Sequence, residues 1–126
     1  MIVGMGFDVV DIARVDKLIE SKGERALERL FTEAEVAYAM RRARPGMHLA
    51  GRIAAKEAAY KALSGSASAR GISWREMEVV PGAHGRPSLV LHGRAAERAS
   101  ELCVTHLWLT LSHTEQTAAA VVVLER

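Results

Sequence analysis

The segment GRIAAKEAAYKAL, residues 51–63, sets an acid and a base, Glu57 and Lys61, four positions apart inside an alanine-rich run. At helical spacing Gly51, Ala55, Ala58, Ala59 and Ala62 fall on one side, and Ile53 and Tyr60 flank Glu57 and Lys61 on the other. No broad polar face is left for solvent. On an exposed helix such a pair is ordinary decoration worth about 0.2–0.5 kcal/mol. On a helix packed on two sides the acid needs a partner or a metal. A second acid, Asp8, ends the apolar, glycine-containing run MIVGMGFD. Taken alone it reads equally as a strand-end or N-cap aspartate. If the helix packs on that first segment through its small stripe, Asp8 and Glu57 approach each other. Two carboxylates with no soft ligand suit a hard cation, Mg²⁺, that keeps waters and recruits phosphate oxygens. Arg52, Lys56 and Lys61 add the positive charge that phosphate binding requires. Arg41, Arg42 and Arg44 either extend this patch or form a solvated basic face.

Other polar candidates carry less. Ser112, His113 and Thr114 close a strand near the C-terminus; His113 has no triad spacing and reads as a ligand contact rather than a base. His48, His84, His92 and His106 are scattered without zinc spacing. Neither GMG nor SGSASARG is followed by the lysine of a phosphate-binding loop. Aromatic content of 5% leaves few rings for base stacking, which argues against nucleic acid. Trp74 and Trp108 read as core or rim packing.

The elements that position these groups follow from pattern. A chain of 126 residues makes one domain spanning 1–126. With 49% hydrophobic and 25% charged residues, disordered and fibrous classes are excluded. So few aromatics make the core rest on Val, Leu, Ile and Ala, and burial in an oligomer would help. The single cysteine, Cys103, reads as a small core residue and points to a reducing compartment, the cytoplasm. Asp8 and Asp11 interrupt what a signal peptide would keep apolar, and no run is long enough to span a membrane. The net charge of +2 is mild, but Val36 to Lys56 carries five cations and no acid, a patch that attracts anions.

A first strand is predicted over about residues 2–8, then a helix from Asp11 carrying Ile12, Val15, Leu18 and Ile19, interrupted at Gly23. Thr32 and Glu35 form a capping box, so the next helix starts at about Glu33 and is ended by Pro45 and Gly46. The Glu57 helix runs from roughly Met47 to Leu63, and the small-residue loop after it is mobile or approaches a ligand closely. MEVV and PSLVL form one hairpin, residues 94–103 a helix, and THLWLTLSH with TAAAVVVLE a second hairpin. The order β-α-α-α-β-β-α-β-β is that of an α+β domain, helices packed on a largely antiparallel sheet.

GFD at 6–8 followed by Arg14, FTEAE at 31–35, AGRIAAKEAAYKAL at 50–63, GRP at 85–87 and LSHT at 111–114 together resemble the holo-[acyl-carrier-protein] synthases, the small homotrimeric group of 4′-phosphopantetheinyl transferases. The likeness runs from the first strand to the last. It implies transfer of phosphopantetheine from coenzyme A to a serine of an acyl carrier protein, with 3′,5′-ADP leaving, and active sites between subunits of a homotrimer. It implies Mg²⁺ held by Asp8 and Glu57, with Lys61 balancing phosphate charge and Glu57, directly or through a metal-bound water, as base. Arg52, Lys56, Lys61, Ser112, His113 and Thr114 would meet coenzyme A, with Ser64, Gly65 and Ser66 near its pyrophosphate. Carrier proteins are acidic, so Arg14, Lys17, Lys22, Arg25 and Arg29 form the expected dock, although interleaved Asp16, Glu20, Glu24 and Glu28 could instead pair with them. Phe7 and Tyr60 are bulkier than the family pattern leads one to expect. The rival from another class is a non-catalytic basic module gripping an acidic protein or nucleic acid through Arg14, Arg25, Arg41 and Arg42.

Overall fold

The computed structural model describes residues 1–126. Strand β1 (Ile2–Asp11) leads into α1 (Ile12–Lys22), α2 (Glu24–Leu30), α3 (Glu33–Met40) and the long α4 (Pro45–Leu63). A hairpin of β2 (Met77–Pro81) and β3 (Pro87–Leu91) follows, then α5 (Gly93–Glu101), β4 (His106–His113) and β5 (Thr117–Glu125). The α+β class expected from pattern is the class observed, with every strand pair antiparallel. The strands form two sheets rather than one, ordered β1-β5-β4 and β2-β3.

Local chemistry explains where expectation and structure part. Val9 and Val10 suit extended backbone, and β5 supplies partners for them and for Asp11, so β1 runs past residue 8. Asp8 is therefore not at a strand end but within the ladder, opposite Ala120. Asp11 stands at the N-cap of α1, yet its side chain caps nothing. Gly23, at φ 59°, separates α1 from α2, which makes one helix more than the pattern suggested. The Thr32–Glu35 capping box forms as expected. Pro45 does not merely stop α3, which has ended at Met40. It opens α4, because at the first helical position its missing N–H costs nothing. Cys103 is exposed at φ 58° after α5, not in the core.

The core forms where α4 lies across the three-stranded sheet. Ala55, Ala58, Ala59 and Ala62 are buried against Ala120, Val122 and Leu124 of β5. β1 sits so close to the helix that a Cβ at Gly4 would strike the Ala62 carbonyl and one at Gly6 the Ala58 carbonyl. Small residues on both elements thus bring the Asp8 segment onto the flank of α4. The opposite face of this sheet is covered by nothing: Met5, Phe7, Val9 and Trp108 are each 52–62% exposed. Val121 and Val123 sit between them in register. No helix is long and apolar enough to cross a membrane.

Candidate active site

Asp8, Glu57 and Lys61 meet where β1 crosses the last turns of α4. Lys61 Nζ donates to Asp8 Oδ1 at 3.1 Å and to the Phe7 carbonyl at 2.9 Å. The Asp8 and Glu57 carboxyls are close enough to act on each other. Burial, and then the adjacent Asp8, push the Glu57 carboxyl above its ordinary range, against the pull of Lys61 and of Arg14 on α1. Asp8 Oδ2 is buried with no hydrogen-bond partner. Lys61 meets only Oδ1, so the buried Oδ2 beside a second carboxylate has room for a further cation. The donor set fits a hard divalent ion that keeps open positions for water and phosphate: two acids, no thiolate, and no third His, Cys, Asp or Glu close enough to close the shell.

Beside this group opens a cleft of about 350 Å³ lined by Glu57, Tyr60, Lys61, Ile72, Trp74 and Met77. Its four apolar walls suit an uncharged arm leading to the acids. Tyr60 was expected only as bulk able to reshape the pocket, and Ile72, Trp74 and Met77 were not foreseen as site residues; they come from separate segments that only the fold joins. Trp74 also lines a broader groove with Lys22, Arg25, Arg29 and Arg75. Arg14 and Lys17 line a neighbouring cleft with Arg44. All five cations of the expected dock are exposed, and none is ion-paired with the interleaved acids.

A second cluster lies apart from the first. The Arg42 and Arg52 guanidinium groups stack on the Tyr38 ring at 3.9 and 4.3 Å. The hydrogen bond from Arg42, and then the two positive charges, hold the Tyr38 hydroxyl below its ordinary range. Arg52, His48, Arg86 and Trp108 line a cavity of about 770 Å³ with Tyr38. Arg52 Nε is buried and unpartnered there. His48 is depressed by burial, then by Arg52, Arg42 and His113. Ser112, His113 and Thr114 are exposed at the end of β4, on the far edge of the sheet from β1. Within one chain, therefore, Arg52 and the Ser112–Thr114 group do not join Asp8, Glu57 and Lys61. Arg42 and Arg86 were legible only as part of a basic run and of the GRP motif.

Lys56 is a correction. The expectation that it meets a phosphate fails because its side chain is fully buried and Nζ donates to Glu35 Oε1, Trp74 O and Met77 O at 2.8, 2.9 and 2.7 Å. An ammonium has three hydrogens, and all are used. Glu35 in turn accepts from the backbone N–H groups of Thr32 and Val79. Ser64, Gly65 and Ser66 follow directly on α4 beyond Lys61, exposed as a ligand contact requires. They are not a slack loop: Ser64 Oγ donates to Lys61 O at 2.6 Å, and Ala67–Gly71 winds into a 3₁₀ turn.

Comparison with known proteins agrees on one family. The model of the 4′-phosphopantetheinyl transferase superfamily matches residues 4–122. A holo-[acyl-carrier-protein] synthase of Geobacter sulfurreducens is 45% identical over 126 residues, covering 100% of this chain and 99% of that protein. The crystal structure of the Neisseria meningitidis holo-[acyl-carrier-protein] synthase superposes with a TM-score of 0.87 at 29% identity, covering 100% of both chains. That of the Helicobacter pylori synthase in complex with coenzyme A superposes with a TM-score of 0.80 at 26% identity, covering 96% of this chain and 99% of that one.

Proposed function

The chain belongs to the 4′-phosphopantetheinyl transferase superfamily, among the holo-[acyl-carrier-protein] synthases, and from that premise we propose how its own residues carry the transfer. The reaction moves 4′-phosphopantetheine from coenzyme A to a serine of apo acyl carrier protein: a serine Oγ–P bond forms, the diphosphate P–O bond breaks, 3′,5′-ADP leaves and the serine proton is released. Asp8 and Glu57 would hold Mg²⁺, which when bound would supply positive charge to the diphosphate. Lys61, fixed by Asp8 and the Phe7 carbonyl, faces the same developing charge. Glu57, directly or through an intervening water, accepts the serine proton. The cleft of Tyr60, Ile72, Trp74 and Met77 takes the pantetheine arm and keeps water from it. The observation that carries this reading is the buried, unpartnered Asp8 Oδ2 beside Glu57.

The second cluster takes the nucleotide. Arg52 and Arg86 of the cavity, and Arg42 on the same Tyr38 ring, meet its phosphates, and Ser112, His113 and Thr114, exposed at the end of β4, add polar contacts. Because the two clusters lie apart on one chain, the complete site forms between copies. The uncovered face of Met5, Phe7, Val9 and Trp108 is apolar enough to be their contact, and we assign a homotrimer whose subunits each lend the nucleotide cluster to a neighbour. The acidic carrier docks on Arg14, Lys17, Lys22, Arg25 and Arg29, and the groove of Lys22, Arg25 and Arg29 meets the cleft at Trp74. One unpaired cysteine fits work in the cytoplasm.

The decisive experiment incubates the protein with coenzyme A, Mg²⁺ and apo carrier protein and weighs the carrier. A gain of one phosphopantetheinyl group that needs all three supports the assignment, and an unmodified carrier ends it. Light scattering of the same sample reads the number of copies.

A further inference from the structure

Arg98 is a buried cation with no part in either cluster, 8% exposed on α5. Its guanidinium does not pair with a core carboxylate. Nε donates to the Leu63 carbonyl at 2.7 Å and Nη2 to the Ser64 carbonyl at 3.2 Å. These are carbonyls at the end of α4, which the helix cannot satisfy itself and toward which its dipole is negative. Nη1 reaches Glu101 Oε2 at 3.1 Å, and that same oxygen accepts from Ser68 Oγ at 2.8 Å. Ser68 Oγ lies 2.9 Å from Ser66 Oγ. One turn earlier Arg94 Nη1 touches the Ser68 carbonyl at 3.4 Å. Positions 94, 98 and 101 share one face of a helix, so a single stripe of α5 grips the chain from Leu63 to Ser68.

We infer that α5 is a clamp for the donor loop, with Arg98 as the positioning residue that fixes Ser64–Ser66 beneath the coenzyme A diphosphate. This rests on the reading that those residues meet the diphosphate. Gly65 is held at φ +101°, where a residue with a Cβ is strained, and the atom nearest to such a Cβ is Arg98 Nη2, 4.0 Å away. Glycine reaches that φ without strain but is equally free to leave it, and the fork of Arg98 supplies the restraint that selects one shape. Lysine cannot replace it, since a single ammonium does not bridge the two carbonyls and Glu101 in one plane.

The test is steady-state kinetics of the full chain with coenzyme A and apo carrier protein, alongside thermal unfolding. Arg98→Gln is expected to raise the coenzyme A KM by about tenfold, with kcat and the carrier KM little changed, and Arg98→Lys to recover only part of it. A merely structural role would instead lower kcat, as folded protein is lost, and leave both KM values alone. Ser68→Ala removes only the outer, solvent-side bonds of the network and should raise the coenzyme A KM by about twofold to threefold with little loss of stability. It decides the matter if the Arg98 variants do not fold. Gly65→Ala separates the two levels of the inference. If Gly65→Ala raises the coenzyme A KM while Arg98→Gln and Ser68→Ala leave it unchanged, the clamp is wrong and the loop reading stands. If none of the three moves it, the loop does not meet the donor and the clamp falls with it.

Discussion

Two lysines of α4, five positions apart, each meet a carboxylate at hydrogen-bonding distance. Lys56 lies 2.8 Å from Glu35 and Lys61 lies 3.1 Å from Asp8. The first pair is fully buried, 0% exposed on both sides, and saturated: every ammonium hydrogen has an acceptor and both Glu35 oxygens have donors. The second is half open, with Lys61 54% exposed, and unsaturated, with one Asp8 oxygen buried and unpartnered beside a second acid. The same two charges thus do different work. A closed network holds α3, α4 and the Trp74–Val79 segment together. An open one is poised to take up a ligand's charge.

Substitutions can break or sharpen that contrast. Asp8→Asn should lower transfer by about 10⁴-fold while leaving the metal-free protein no less stable, because it removes one of two adjacent like charges. Assays over a Mg²⁺ titration with parallel calorimetry read both. Near-normal turnover would falsify the assignment of the open pair. Glu35→Ala should do the reverse, destabilising by about 3–5 kcal/mol because Lys56 is left charged and buried alone. Lys56→Met combined with Glu35→Leu should restore much of the loss, seen as recovery of the urea midpoint. A double variant no better than Glu35→Ala would mean the pair itself is needed. Lys61→Met should cost roughly 10²-fold in kcat, yet change stability by no more than about 1 kcal/mol, as an exposed pair allows.

The smallest effect concerns the margin of the closed network. Thr32 Oγ1 donates to Glu78 Oε2 at 2.7 Å, and this bond first, then His92, holds the Glu78 carboxyl below its ordinary value of 4.5. A carboxyl depressed in the folded state adds stability that is complete above 4.5 and lost as pH falls through its folded value. Glu78→Gln should therefore cost about 1 kcal/mol at pH 7 and progressively less below pH 4.5. Melting curves from pH 7 to pH 3 that run parallel for the two proteins would contradict it.

Local signals were strong where one stretch of chain determined its own geometry. The Thr32–Glu35 box, both hairpins and the alanine stripe of α4 are each written as a pattern within one continuous stretch of chain, and each forms as that pattern predicts. Boundaries were weaker where a distant partner decided. β1 continues to Asp11 because β5 pairs with it, and Asp8 consequently lies within a ladder. Lys56 and Lys61 show why the site was only partly readable. Both are lysines on one helix near acids, and nothing in the motif says which is sealed by Trp74 O and Met77 O. Arg98 gave no signal beyond the composition of a helix, since the carbonyls it meets are about 35 residues away in the chain.

By itself, then, the order of residues determined the class of fold, the pairing of a strand acid with a helix acid, and the family to which the motifs belong. The first two follow from residue type and short-range periodicity, and the third from the resemblance of the motifs. Tertiary structure alone decided which charges are spent inside and which stay available, and that the Asp8–Glu57–Lys61 group and the Arg52 cluster lie apart on one chain. Burial and hydrogen-bond saturation are properties of what surrounds a side chain, and those surroundings are assembled from segments that the linear sequence keeps apart.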